Sequence, residues 1–177
     1  MVGDNEMYSP LVGGELVPCM IFIDREGDWH YRGSPMHRRD IVSHLCQHLC
    51  RDEASGLYLI RMGDQQCYVE AEDTPLVIHR VVHQGGEGGA GPEQLLLSVK
   101  HLEGTEPLDP STLRVGMENV LYCTVRPDRL PARFLRPAYY QLAEFIQEDR
   151  EQGGFYLLLG GERHYVCLTC QPPTVGD

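Results

Sequence analysis

His44 and His48 are four residues apart, so on a helix one imidazole stands a turn above the other. Two histidines on one helix face are half of a metal site. Cys46 and Cys50 repeat the spacing on another face. The apolar stripe of Ile41, Val42, Leu45 and Leu49 separates His48 from Cys46, so all four donors cannot converge on one tetrahedral ion. A metal here would need ligands from elsewhere, and structural or solvated histidines are the plainer reading. Cys167-Leu168-Thr169-Cys170 has the spacing of a zinc half-site or a redox pair. It stands at a strand end before prolines, not at the helix N-terminus that lowers a thiol pKa, and no second Cys-x-x-Cys completes it.

Other residues with chemical potential have bland readings of equal or greater weight. Ser34 lacks the Gly-x-Ser-x-Gly setting of a nucleophile and reads as a helix cap. The glycines of 85–91 end in no Gly-Lys-Ser or Gly-Lys-Thr, so they form no phosphate loop. Glu70, Glu72 and Asp73 offer oxygen ligands for a cation but sit where a strand exit is ordinarily solvated. The best set is Trp29, Tyr31, Arg38, Arg136, Tyr139 and Tyr140. Arginines beside aromatic rings suit a ligand with a carboxylate or phosphate on a planar body. The alternative is architectural: tyrosines packing a helix–sheet seam and arginines capping helices or pairing with acids.

The elements that must position these residues are legible as periodicities. Cys19 to Ile23 is a short apolar run fit for a buried strand, and Trp29-His30-Tyr31 alternates as a strand returning from an acidic turn. Ser34-Pro35 reads as a helix start, with the helix running from about Arg38 to Arg51. Glycine-turned hairpins follow around Gly63-Asp64 and Gly160-Gly161, the second after a helix from Arg136 to about Gln147.

The bulk composition narrows the function classes. Hydrophobic residues make up 42% and charged residues 23%, which is globular rather than disordered composition. A net charge of −11 with a single small basic cluster excludes the phosphate backbone of nucleic acid as a partner. No apolar run reaches the ~20 residues that span a membrane. Without a secretion signal, the seven cysteines read as reduced thiols, several of them buried, in a soluble cytoplasmic protein. No cofactor is indicated.

The chain repeats itself. Strand, connection, helix, glycine stop and hairpin occur twice in one order. Gly56-Leu57-Tyr58-Leu59-Ile60 lies opposite Gly154-Phe155-Tyr156-Leu157-Leu158, and Gly63-Asp64 opposite Gly161-Glu162. In the helices, Arg39, Leu45 and Leu49 lie opposite Arg136, Leu142 and Ile146 when one residue is gapped.

Three blocks carry a family resemblance. Trp29-His30-Tyr31-Arg32-Gly33-Ser34-Pro35-Met36-His37-Arg38, Glu72-Asp73-Thr74-Pro75 and Ala132 to Tyr140 resemble landmarks of a bacterial family known as domain of unknown function 1285. The resemblance covers roughly Ile21 to Val166. It implies an α+β fold with repeated motifs and a role in ligand sensing or signalling, and it supplies no catalytic residues. The glycine loop and the Cys167/Cys170 pair depart from the family pattern.

The expected fold is therefore α+β: two strand–helix–strand–strand repeats packed as one compact pseudo-symmetric body. Residues 1–83 hold an irregular lead-in and the first repeat, 84–94 a glycine-rich loop, 95–170 the second repeat and 171–177 a tail. The expected function is a binding or regulatory module for a small molecule or a protein partner, with the inter-repeat groove as its site. A metal-assisted enzyme using His44 and His48, and a scaffold pairing through an exposed sheet edge, are the competing classes. Composition and spacing leave the oligomeric state open.

Overall fold

The computed structural model describes residues 16–86, 92–125 and 129–168. They form a mixed α+β protein, mostly sheet with two helices, which separates into two compact units dividing between Pro75 and Leu76.

The first unit holds β1 (Pro18–Ile23), β2 (Trp29–Tyr31), β3 (Ser34–Pro35), α1 (Arg39–Gln47), β4 (Leu49–Arg51), β5 (Tyr58–Met62) and β6 (Gln65–Ala71). Its six strands lie in the order β3-β2-β1-β6-β5-β4, with β1 and β6 parallel. Along β1 the side chains alternate, and Cys19, Ile21 and Ile23 face inward. The acidic turn after β1 is a local hydrogen-bonded structure. Asp24 Oδ1 accepts from the backbone of Glu26 and Asp28, and Arg25 clasps Glu72 through its backbone and its guanidinium. Glu72 is thus committed to a turn, and that ion pair holds its carboxyl below the usual carboxylate range.

Three expectations change here. Ser34 caps no helix: Ser34–Pro35 pairs with Tyr31 and His30 across the Gly33 turn. Arg38 precedes α1 in an extended conformation with no side-chain cap. The helix also ends at Gln47 rather than near Arg51, because Leu49 to Arg51 gain strand partners in β5. Leu49 continues the spacing of the apolar stripe, yet it is buried opposite Ile60. Third, the cysteines are not all reduced, because Cys19 and Cys67 form a disulfide. They face each other from the parallel neighbours β1 and β6, with Cα atoms 5.1 Å apart, inside the range that a disulfide bridges. Forty-eight residues separate them in sequence, so no local spacing announced the pair. The thiol argument for a reducing compartment is thereby removed. Among the described residues, no helix is long and apolar enough to cross a membrane.

The second unit begins with β7 (Leu76–Gln84) and β8 (Gln94–Val99), followed by β9 (Glu106–Pro107), β10 (Arg114–Val115), β11 (Leu121–Val125), β12 (Leu130–Phe134), α2 (Arg136–Ala143), β13 (Ile146–Glu148), β14 (Phe155–Leu159), β15 (Glu162–Tyr165) and β16 (Cys167–Leu168). Short 3₁₀ turns at Pro110–Thr112 and Met117–Asn119 flank β10. A seven-stranded sheet runs β16-β10-β11-β12-β7-β8-β9, and β13-β14-β15 forms a three-stranded meander. The sequence reading ended its first repeat at His83, whereas the compact units divide before β7. That strand pairs antiparallel with β8 and parallel with β12. The glycine-rich segment is the tip of the β7–β8 hairpin, and residues 87–91 within it lie outside the described ones.

A helix followed by a three-stranded meander occurs once in each unit, 97 residues apart, from Arg39 and Arg136 at the helix starts to Gln65 and Glu162 in the third strands. Backbone bonds recur at that spacing. His48 N to Leu45 O is matched by Phe145 N to Leu142 O, Arg61 N to His48 O by Leu158 N to Phe145 O, and Gly56 N to Asp52 O by Gly153 N to Asp149 O. Gly56 and Gly153 share a φ of +73°, which favours glycine at both. The hairpins therefore follow the helices in one register, and the one-residue gap in the sequence alignment is unnecessary. Strand pairing matches as well: β10 lies antiparallel to β11 and parallel to β16, as β1 lies antiparallel to β2 and parallel to β6.

Candidate functional site

The second unit contains a cleft of about 570 Å³, within the size range of small-molecule sites. Its geometry follows from α2. Pro137 sits in the first turn, where its missing N–H and fixed φ cost nothing. Ala138 and Leu142 are fully buried, anchoring the helix, so Tyr139 and Ala143, four residues apart, present a neighbouring face to the cleft. After the helix, Ile146 and Glu148 stand two apart on β13 and share a strand face. Phe155 lies directly opposite Glu148 on β14. The lining also includes the cross-strand pair Val115 and Leu121, with Leu168 beside Val115 on β16.

Asn119 joins the lining from a tight turn in which Glu118 and Asn119 both have φ of +57°. Gly116 lets that turn form, since a Cβ there would stand 2.7 Å from the Tyr122 ring. Leu121 and Val166 are buried, but Phe155 and Leu168 are 45% and 63% exposed. The walls are mostly apolar, with polar groups from Tyr139, Asn119 and Glu148.

The cleft's frame is tied down by polar contacts. The Gln141 side chain accepts from the backbone N–H of Val81 at 2.7 Å, fixing α2 to β7. Glu93 bridges His83 (2.8 Å) and the backbone N–H of Gly160 (2.7 Å), joining the β7–β8 hairpin to the β14–β15 turn. The His83 bond, with the Gly160 N–H, holds the Glu93 carboxyl below the usual carboxylate range. The His83 ring also stacks on Phe145 at 5.2 Å. In the β13–β14 loop, buried Asp149 accepts from the Tyr165 hydroxyl and the N–H groups of Glu151 and Gln152.

The predicted ligand residues fall in both units. Trp29 is 3% exposed and belongs to the core of the first unit. Tyr31 is partly exposed under the Arg32 guanidinium, and exposed Arg38 pairs with Asp40. Arg136 is exposed at the start of α2. Tyr139 and Tyr140 are brought edge to face, and Tyr139 alone of the six lines the cleft. Leu121, Phe155, Glu148 and Asn119 were not singled out from the sequence. Nothing in the sequence marked them; strand pairing places Leu121 where the first unit holds Trp29.

The His44 and His48 rings are 4.7 Å apart, and His48 Nδ1 bonds the His44 carbonyl at 2.7 Å. Among the described residues, no group of three potential ligands is arranged for a metal. Cys167 is exposed on β16, whereas Cys170 lies outside the described residues. Burial pushes the Cys46 thiol up to about 12 and raises that of Cys123 as well, so neither is an activated nucleophile.

No family model matches the chain, and no curated protein matches it. Two solved structures do. A DUF1285 family protein from Silicibacter pomeroyi DSS-3 matches with a TM-score of 0.70 at 20% identity, over 93% of this chain and 87% of that one. A DUF1285 family protein from Shewanella baltica OS155 matches with a TM-score of 0.55 at 17% identity, over 71% of this chain and 91% of that one. The chain therefore has the fold of solved proteins of the domain of unknown function 1285 family, the same family that its three motif blocks resemble.

Proposed function

We propose that this protein is a binding module whose small-molecule site is the cleft of the second unit. In this reading a single plan of strands, helix and meander is used twice, closed as core in the first unit and opened as a site in the second. The observation that carries it is the fate of matched positions. Val115, Tyr139, Ala143 and Ile146 line the cleft and are partly exposed, while their counterparts Ile23, Val42, Cys46 and Leu49 are all buried; Leu121, buried at the cleft wall, stands where the first unit holds the larger Trp29. An apolar cleft of this size, with few polar groups, suits recognition of a compact apolar body.

Leu121→Trp tests the reading by giving the second unit the ring that the first already has. The wild type should bind the neutral dye Nile red at one saturable site. Leu121→Trp should lose that site while keeping its circular dichroism spectrum and cooperative unfolding. An absence of saturable binding, or binding unchanged in a folded Leu121→Trp protein, would overturn the proposal.

A further inference from the structure

The charge inside the cleft narrows the ligand class. Resting on the reading of the cleft as a ligand site, we propose that it takes amine-bearing molecules: an ammonium group carried on an apolar or aromatic body. Among the described residues Glu148 is the charged one in the lining, and neither lysine, arginine nor histidine accompanies it there. A carboxylate in an otherwise apolar wall favours a cation and repels an anion.

The rings around it act in the same direction. Glu148 and Phe155 are directly opposed on β13 and β14, so their side chains leave one sheet face roughly 5 Å apart at Cβ. Tyr139 adds a second ring from α2. An ammonium held by the carboxylate would sit against aromatic faces, whose negative charge density attracts cations.

The carboxylate has little competing engagement. Among the described residues its ion-pair neighbour is Arg150, with Nε at 3.6 Å and the Glu148 and Arg150 side chains 60% and 88% exposed. A pair that open to water is weak and screened by salt. The matched position in the first unit is Arg51, so the carboxylate occurs in the unit that carries the cleft. The anion recognition suggested by Arg38 and Arg136 has no counterpart in the lining, where neither residue appears.

The test uses three probes with one apolar body: phenylbutylamine, phenylbutanol and phenylbutyrate, titrated calorimetrically into the full chain at low salt. The amine should bind roughly tenfold more tightly than the alcohol, as expected for an ion pair plus a cation–π contact, and the carboxylate weakest. Glu148→Gln should bring the amine down to the alcohol's affinity and leave the alcohol unchanged. Glu148 is exposed, so this variant keeps the fold. Alcohol and amine binding equally, with both lost in Leu121→Trp, would overturn the ligand class and leave the cleft standing. Amine preference that survives Glu148→Gln would also overturn the class. Failure of all three probes to bind, or binding that persists in Leu121→Trp, would overturn the cleft reading and the class with it.

Discussion

In the two units, strand positions matched by pairing hold different side chains. The first unit puts Trp29 opposite Ile23, and both are buried. The second puts Leu121 opposite Val115, and a cleft opens against that pair. On the helices, Val42 and Cys46 are buried where Tyr139 and Ala143 are partly exposed. The backbone hydrogen bonds that terminate the helices and launch the meanders are the same in both. The difference lies in side-chain volume and in closure of the third strand. In the first unit β6 runs unbroken from Gln65 to Ala71 and is bonded to β1 by a disulfide. In the second the corresponding stretch is broken at Val166 into β15 and β16, which belong to different sheets. The same helix-ending and meander-launching bonds thus accompany a filled core in one unit, where the indole and the disulfide stand, and a cleft in the other.

The strongest way to break this comparison is to remove the indole. Trp29→Ala deletes a large side chain from a closed core and should cost roughly 3–5 kcal/mol in urea unfolding, followed by circular dichroism. That is a large part of a typical domain stability of ~5–15 kcal/mol. Leu121→Ala widens a cleft that already opens to solvent, so the transfer contribution remains without an enclosed cavity, and about 2 kcal/mol is expected. Equal losses in the two variants would erase the distinction between filled and open units.

The disulfide is the next lever. Closing a loop with a sequence separation of 48 residues should stabilise the first unit by about 4 kcal/mol on chain entropy. The paired Cys19→Ala, Cys67→Ala variant should lose much of that, while Nile red binding in the second unit persists. Titration of denatured protein should reveal two fewer thiols without reductant than with it. Equal counts would show that the link is absent and that packing alone closes the first unit.

These contrasts also explain what the sequence made visible. Short apolar runs and helical stripes placed β1, β5, β6, β14 and the starts of both helices, but α2 ends at Ala143 rather than near Gln147, because Ile146 to Glu148 gain strand partners in β14. Short-range punctuation misled where a tertiary partner decided the outcome. Ser34-Pro35 carries good helix-start chemistry, yet its backbone pairs with Tyr31 and His30. Leu49 fits the helical stripe equally well as a strand residue opposite Ile60. Cys19 and Cys67 become neighbours only when β1 lies alongside β6. Tyr139 was within reach as an aromatic on an amphipathic helix, whereas Leu121 and Ala143 were not. What distinguishes those two is volume missing relative to Trp29 and Cys46, and missing volume has no periodicity to detect.

The finest test compares two aspartates, Asp52 and Asp149, in matched loops 97 residues apart. Both are held below the usual aspartate range, Asp52 first by the Ser55 hydroxyl and Asp149 first by the Tyr165 hydroxyl. A lowered folded-state value means that the stabilisation is fully present above the unfolded value of about 3.9 and disappears as pH falls through the folded value. The acceptor geometry separates the two. Asp52 serves Ser55 N and Oγ through one oxygen, Oδ2. An asparagine can aim its oxygen at Ser55, so Asp52→Asn should leave the melting temperature almost unchanged. Asp149 uses both oxygens, Oδ1 on two backbone N–H groups and Oδ2 on Tyr165, with Arg163 at 3.6 Å. An amide cannot accept on both sides, so Asp149→Asn should lower the melting temperature by a few degrees at neutral pH. That deficit should shrink towards zero as the pH is lowered from about 4 to 2, where the wild-type carboxylate is itself protonated. Thermal melts of the two variants across that range decide the matter. An equal effect at both sites, or an Asp149→Asn deficit that does not change with pH, would mean that the loops share their backbone but not the electrostatics assigned to them here.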